Sequence, residues 1–466
     1  MARFRISALV AAAVVLLPVS ASAAEMPVDG RDLGLVWILP FAGLLLSIAG
    51  LSLVAPFFWH RNYGKITAGW AAAFLIPFGA RFGWGAAWHE LIHVLIVDYI
   101  PFITLLAALY TAAGGVRLKG SLSGRTASNV LFLAGGTVLA SVIGTTGACM
   151  LLIKPLLRAN AWRQRTVHTW VFFIFLVGNI GGALSPLGDP PLYIGYLQGV
   201  HFFWPTVHLA GPTGLVAALL LVVYALVDTI ALRREADEPP KSDWNGIEGA
   251  RNIAVLVAIP VVVLVTGAWD SGVTLTIAGI DCALEDVVRT LGVAALGVLA
   301  WAWTNPLTFR HNEFSWEPIR EVAKLFAGIF VCIVPALAII GAGEEGAAAP
   351  VVQLLNSGGH PDEAMYFWIT GLLSSVLDNA PTYLLFFNLA GGDPQLLQTS
   401  MARTLQAISA GAVFMGAMTY IGNAPNFMVR GVVTAHGRRM PSFFAYIAWS
   451  VTVLGPAFAA VHWTFF

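Results

Sequence analysis

Residues 87–93 read AWHELIH and contain His-Glu-x-x-His. On a helix, His89 and His93 fall one turn apart on one face with Glu90 beside them. Two imidazoles so placed can bind zinc, and the Glu can serve as general base. An intramembrane zinc protease would need a third ligand from another helix, for which Asp98 and the more distant aspartates are nominal candidates. A second set of chemistry-bearing residues lies in four short stretches: GTTGA (144–148), NIGGALSPLGDPPLY (179–193), LDNAP (377–381) and YIGNAPNFM (420–428). Their side chains are oxygen-rich: Thr145, Thr146, Asn179, Ser185, Asp189, Asp378, Asn379, Asn423 and Asn426. Carbonyls freed at such breaks suit a hard cation such as Na⁺, with Asp189, Asp378, Asn379 and Asn423 as its expected ligands, and half-helix N-termini offer N–H groups to an anion. A carboxyl group taken out of water can carry a proton, because desolvation disfavours its charged form. The same residues have a plain structural reading. Asp189 precedes Pro190–Pro191 and Asp378 lies shortly before Pro381, as ordinary helix N-caps do. Thr145 and Thr146 could serve only a turn's backbone. Glu344 and Glu345 in GEEG read as a solvated loop, and Lys154 as a side chain snorkelling to the surface.

The elements that must position these residues are helices in a bilayer. Of 466 residues, 58% are hydrophobic and 11% charged, whereas a soluble globular protein carries about 25% charged residues. Such a chain cannot keep a surface wet. Its apolar residues come in blocks of roughly 20, the length that spans a bilayer core. They are continuous rather than alternating, which excludes a β-barrel. The fold class is an all-α polytopic membrane protein whose main partner is the lipid bilayer. Zero net charge offers nothing to nucleic acid. Cys149, Cys282 and Cys332 are too scattered for a disulfide framework or a thiolate metal site, and no cofactor is implied. Arg3 and Arg5, an apolar run and SASAA make residues 1–24 a secretory signal peptide. The location expected is a bacterial inner (plasma) membrane.

Charge orients the spans. The segment 129–157 is basic on both flanks, with Arg117, Lys119 and Arg125 before it and Lys154, Arg158, Arg163 and Arg165 after. A single crossing would put one cluster outside; a re-entrant hairpin turning at Thr145–Thr146 keeps both in the cytoplasm. With 363–390 as a second hairpin entering from the other side, Arg31, Arg81, Arg289 and Arg403 are the lysines and arginines left outside beyond the signal segment. The expected organisation is a first repeat at 34–232 (hairpin 129–157, broken helix 167–204), a cytoplasmic linker at 233–249, and a second repeat at 250–466 (hairpin 363–390, broken helix 404–435, then a terminal span). The halves start on opposite sides, which makes an inverted-topology repeat with two re-entrant hairpins and two broken helices.

NIGGALSPLGDPP, SSVLDNAPTYL and YIGNAPNFM resemble the signature segments of the ion transporter superfamily. That group includes NhaD-type sodium/proton antiporters, ArsB-type arsenite exporters, citrate–metal symporters and dicarboxylate transporters. The likeness is greatest to the bacterial citrate transporter and sodium:proton antiporter group and covers about 34–466. It implies a scaffold domain, a transport domain holding both hairpins, an elevator-type movement and a homodimer. It also implies a site at Thr145–Thr146, Ser185, Asp189, Asp378, Asn379, Asn423 and Asn426. Where arsenite exporters and NhaD-like antiporters resemble one another in an Asn-Asp pair at the first hairpin, this chain has Thr145–Thr146, one carboxylate fewer.

The expected function is a secondary active transporter, not an enzyme, that exchanges Na⁺ (or Li⁺) for H⁺ at a midplane site. No Lys or Arg lies in the four breaks. A tricarboxylate would face two carboxylates there, and helix N-termini offset only about half a charge each. A proton-, sodium- or metal-coupled citrate-type carboxylate transporter is the alternative, and arsenite export the third reading. The zinc protease is remote. The topology places AWHELIH at the outer end of a span, beside the interfacial Trp84 and Trp88, and the second half has no counterpart.

Overall fold

Proline sets where many of the helices begin. It occupies the first or second helical position, where its missing N–H costs nothing, in Leu39–Val54, Pro56–Phe82, Pro190–Leu197, Trp204–Leu232, Glu317–Gly341 and Ala424–Ala435. The computed structural model describes residues 29–355 and 361–466, so the signal peptide expected at 1–24 lies outside the described residues. Nine helices among the described residues are long and apolar enough to cross a membrane, including Leu35–Val54, Trp84–Gly114, Ala250–Gly267, Leu284–Trp303 and Phe443–Phe465. The chain is a multi-pass helical membrane protein.

The helices pack as two groups. Leu35–Val54, Pro56–Phe82, Trp84–Gly114, Ala250–Gly267, Leu284–Trp303 and Glu317–Gly341 pack mainly on one another and form a frame. The second group is the core body. In it, Thr126–Ile143 packs on Thr145–Ala159, and Glu363–Val376 on Asn379–Leu389. With them go the interrupted segments around 177–189 and 416–423 and the helices Trp204–Leu232 and Phe443–Phe465. The second arm of each helix pair leans on the frame, 145–159 against 84–114 and 379–389 against 317–341. The 167–176 helix is buried from His168 to Leu176, so it has no water-facing polar stripe. The 204–232 helix keeps one face towards the core body and leaves Val207, Val222, Leu226 and Ile230 exposed, as lipid contact requires.

Two small β elements escape a reading based on apolar blocks. Arg117–Leu118 pairs antiparallel with Ile247–Glu248 and ties the loop before Thr126–Ile143 to the segment before Ala250–Gly267. Thr274–Ile277 pairs with Ile280–Ala283 around Ala278 and Gly279, both at positive φ. The span Trp84–Gly114 contains six π-helical residues, Val94–Tyr99.

Candidate functional site

Backbone interruptions build the site. In the first, the 167–176 helix ends, Asn179 leaves helical geometry, a 3₁₀ turn covers Ile180–Leu184, and Ser185 and Asp189 are extended before Pro190–Leu197 begins. In the second, Ala402–Met415 gives way to a 3₁₀ turn at Gly416–Met418, extended Thr419 and Asn423, and then Ala424–Ala435. The hairpin tips lie at Gly144 and Asp378. Helices starting at Thr145, Pro190, Asn379 and Ala424 therefore all begin beside these interruptions. Gly144 has φ of +81° and ψ of 148°, a backbone region essentially restricted to glycine. Replacing Gly144 with Ala is expected to cost about 1–3 kcal/mol and to lower the thermal unfolding midpoint of the detergent-solubilised protein.

Asp189 is the convergence point. It is 1% exposed, and its side chain caps nothing in its own helix. Oδ1 accepts from Thr145 Oγ1 at 2.8 Å and from Asn423 Nδ2 at 3.1 Å, and Oδ2 accepts from Asn379 Nδ2. One hydroxyl and two amides from both hairpins and the second interruption thus meet a single carboxyl group, with no Lys or Arg bonded to it. The Thr145 N–H also donates to Gly188 O at 2.8 Å, which fixes the first tip against Asp189. Asn379 Oδ1 is buried without a hydrogen-bond partner among the described residues.

Asp378 differs. It is half-buried, and its Oδ1 accepts from Ala380 N at 3.2 Å, so it caps its own helix. It lines the same cavity as Asp189, Thr145, Thr146 and Asn423. Asn179 and Asn426 sit behind. Asn179 Nδ2 donates to Ile174 O at 2.8 Å and Asn426 Oδ1 at 2.7 Å, while Asn426 Nδ2 donates to the carbonyls of Gly416 and Thr419. Each Asn satisfies carbonyls freed in its own break, and the pair joins the two halves. Asn423 Nδ2 reaches Asn179 Oδ1 at 3.2 Å and links them to Asp189. Ser185 stands apart: its hydroxyl donates to Ser141 O and accepts from Leu187 N, so it secures the first break.

Sequence reasoning missed the hydroxyls behind the tips. Ser141 donates to Gly181 O, and Ser374 donates to Ala412 O at 2.6 Å. Each lies one helical turn before its tip, Ser141 before Thr145 and Ser374 before Asp378, and that spacing was the available signal. Thr419 accepts from Ile421 N and Gly422 N and donates to Ser375 O. A further miss is a buried ionic cluster. Arg163 Nη1 and His168 Nε2 each lie 2.7 Å from Asp228 Oδ1, with Arg163 and Asp228 fully buried. Asn129 and Asn160 exchange reciprocal amide bonds across the base of the first hairpin, and Arg163 Nη1 donates to Gly124 O. Arg438 donates to the Arg163 and Ala161 carbonyls. Lys154 does not snorkel to water. Its Nζ donates to Asn312 O and pairs with Glu313 Oε2 at 3.0 Å, across to the frame.

The cavity, about 430 Å³, also reaches His60, Glu317 and Glu321 at the frame's helix ends. Among the described residues, four carboxyl side chains line it, from Asp189, Asp378, Glu317 and Glu321, and no lysine or arginine does. The AWHELIH residues are remote from it. His89 and His93 stack at 6.4 Å between ring centroids, and Asp98 accepts from Gln198 Nε2 at 3.5 Å. No group of three His, Cys, Asp or Glu able to hold a metal occurs among the described residues. Glu344 and Glu345 form a 3₁₀ turn, where Glu345 pairs with Arg31 at 2.8 Å.

Residues 30–466 match the family model described as "Putative citrate transport". The chain belongs to this family. No curated protein matches it. The citrate-transport family match spans both interruptions and both tips, and it agrees with the ion transporter resemblance carried by NIGGALSPLGDPP and YIGNAPNFM. It places the chain among membrane transporters.

Proposed function

We propose that this transporter exchanges Na⁺ or Li⁺ for H⁺, with Asp189 as the group for which cation and proton compete. The observation that carries this reading is the cavity lining, which among the described residues has four carboxyl side chains and no lysine or arginine. Four half-helix N-termini contribute about half a positive charge each, which offsets about two of the cavity's four carboxylates. One or two cations or protons then bring the site near neutrality, whereas a tricarboxylate alone leaves it strongly negative. The donors suit both states of Asp189. Thr145 can rotate its hydroxyl and accept when Asp189 is protonated, and Asn379 has a spare amide oxygen for a cation or a donor. The two interrupted halves are read as an inverted repeat. The core body is read as the part that moves against the frame, elevator-fashion, in alternating access.

Citrate-type carboxylate transport is the second reading. The family description favours it, and so does a cavity within the range of about 300–1,000 Å³ typical of small-molecule sites. Thermal unfolding in detergent separates the two. Saturating Na⁺ or Li⁺, at about 100 times its Kd, is expected to stabilise the protein by about 2.7 kcal/mol, and citrate without metal to leave the midpoint unchanged. Stabilisation by citrate and none by either cation would replace cation exchange with the carboxylate reading.

A further inference from the structure

A second cavity, about 470 Å³, lies away from the site and is almost wholly apolar. One wall is the first arm of the first hairpin, with Leu131, Phe132, Gly135 and Leu139; the roof is Leu118, Leu122 and Trp244. The roof residues come from the loops joined by the strand pair Arg117–Leu118 and Ile247–Glu248. The groove therefore lies at a seam between the hairpin and the inter-repeat loops. Gly135 faces open space, with nothing within 4 Å of where a Cβ would stand, so the hairpin leaves this trough unfilled. An apolar trough on a lipid-facing helix suits an acyl chain, since its lining offers almost no polar group to water.

Charge selects the headgroup. Arg125 is exposed at the N-cap of the same helix, and position 132 on the groove wall lies two turns further on, on the same face. Arg158 Nη2 donates at 2.7 Å to the carbonyl of Leu118 in the roof. Neither Arg125 nor Arg158 pairs with a carboxylate within 4.0 Å among the described residues. Arg117 and Lys119, by contrast, are both paired with Glu248. Asp243 is the opposing charge at the mouth, and its Oδ1 already accepts from Ser121 N. Trp244, partly exposed in the roof, has the amphipathic ring that tryptophan brings to the headgroup region.

We infer that this groove binds an anionic phospholipid of the cytoplasmic leaflet, with one acyl chain along Leu131–Leu139 and the headgroup between Arg125 and Arg158. The inference is independent of which ion is transported.

Delipidated full-length protein in detergent, titrated with phosphatidylglycerol or phosphatidylcholine and read by native mass spectrometry, tests it. Each near-surface arginine contributes roughly fivefold to affinity for an anionic lipid, so phosphatidylglycerol should bind the wild type more tightly by that factor or more. Arg125→Ala with Arg158→Ala should abolish the preference while leaving phosphatidylcholine binding unchanged. Gly135→Leu, which has room to fill the trough, should weaken binding of both lipids with an unchanged unfolding midpoint in detergent alone. Equal affinity of the wild type for the two lipids, or unaltered binding in the Gly135→Leu and double-arginine variants, would overturn the proposal.

Discussion

Asp189→Asn is expected to reduce transport to background while the protein still inserts and folds. The carboxyl group receives three donors, from Thr145, Asn379 and Asn423, and a neutral amide in its place can neither balance a cation nor exchange a proton. One oxygen becomes an N–H₂ group facing a donor, a mismatch that costs about 1–3 kcal/mol if it stays unrelieved. Relief is at hand, because Asn379 Oδ1 has no partner and a flip of that amide presents it to the new donor. Stability should therefore change little, and the loss of transport should be a loss of charge. Asp378→Asn separates capping from transport, since Asn caps a helix as well as Asp does. The unfolding midpoint should be unchanged, and transport should fall if Asp378 shares the ion. Normal transport by Asp378→Asn would reduce that residue to a cap, and normal transport by Asp189→Asn would remove it from the mechanism. Flux in proteoliposomes, with the unfolding midpoint measured on the same preparations, decides both.

Arg163→Ala is expected to have the largest effect on stability. Removing one partner of a buried ion pair costs about 3–5 kcal/mol, because the remaining charge is left without compensation in a dry interior. Here Asp228 would keep only His168. The connection between the first hairpin and the 167–176 helix would lose its ion pair with Asp228 on the 204–232 helix, and the Gly124 carbonyl would lose its Arg163 donor. Arg163→Met combined with Asp228→Leu should recover much of the loss, since apolar groups of similar volume often replace a buried pair at little cost. Chemical or thermal unfolding in detergent, with the singles and the double compared as a cycle, measures it. A single Arg163→Ala variant as stable as the wild type would show that the cluster does not hold the core body together.

The helices were legible in the sequence because a bilayer permits little else: continuous apolar runs of spanning length must hydrogen-bond within themselves. The interruptions at 179–193 and 420–428 were legible because glycine and proline cannot continue a helix there, and polar side chains inside apolar runs drew attention to Asp189, Asn423 and Asn426. The difference between Asp189 and Asp378 was not legible. Both stand before proline-bearing helices, and only the positions of Thr145 and Asn423, 44 and 234 residues from Asp189 in sequence, show that one carboxyl group receives a converging shell while the other caps its helix. Arg163 looked like one more cytoplasmic positive charge, since nothing local joins it to Asp228. Lys154 looked like a snorkelling side chain for the same reason, as Asn312 and Glu313 are contributed by the other half of the chain. Sequence patterns announce where the backbone breaks, but long-range pairing decides what each break holds.

The most direct test of cation–proton exchange is the response of a pH dye in energised everted vesicles to added Na⁺ and Li⁺. The wild type is expected to dissipate the proton gradient on addition of either cation, with the dye dequenching, and Asp189→Asn to give no response. Accumulation of radiolabelled citrate by proteoliposomes, with no pH response to Na⁺ or Li⁺, would contradict it.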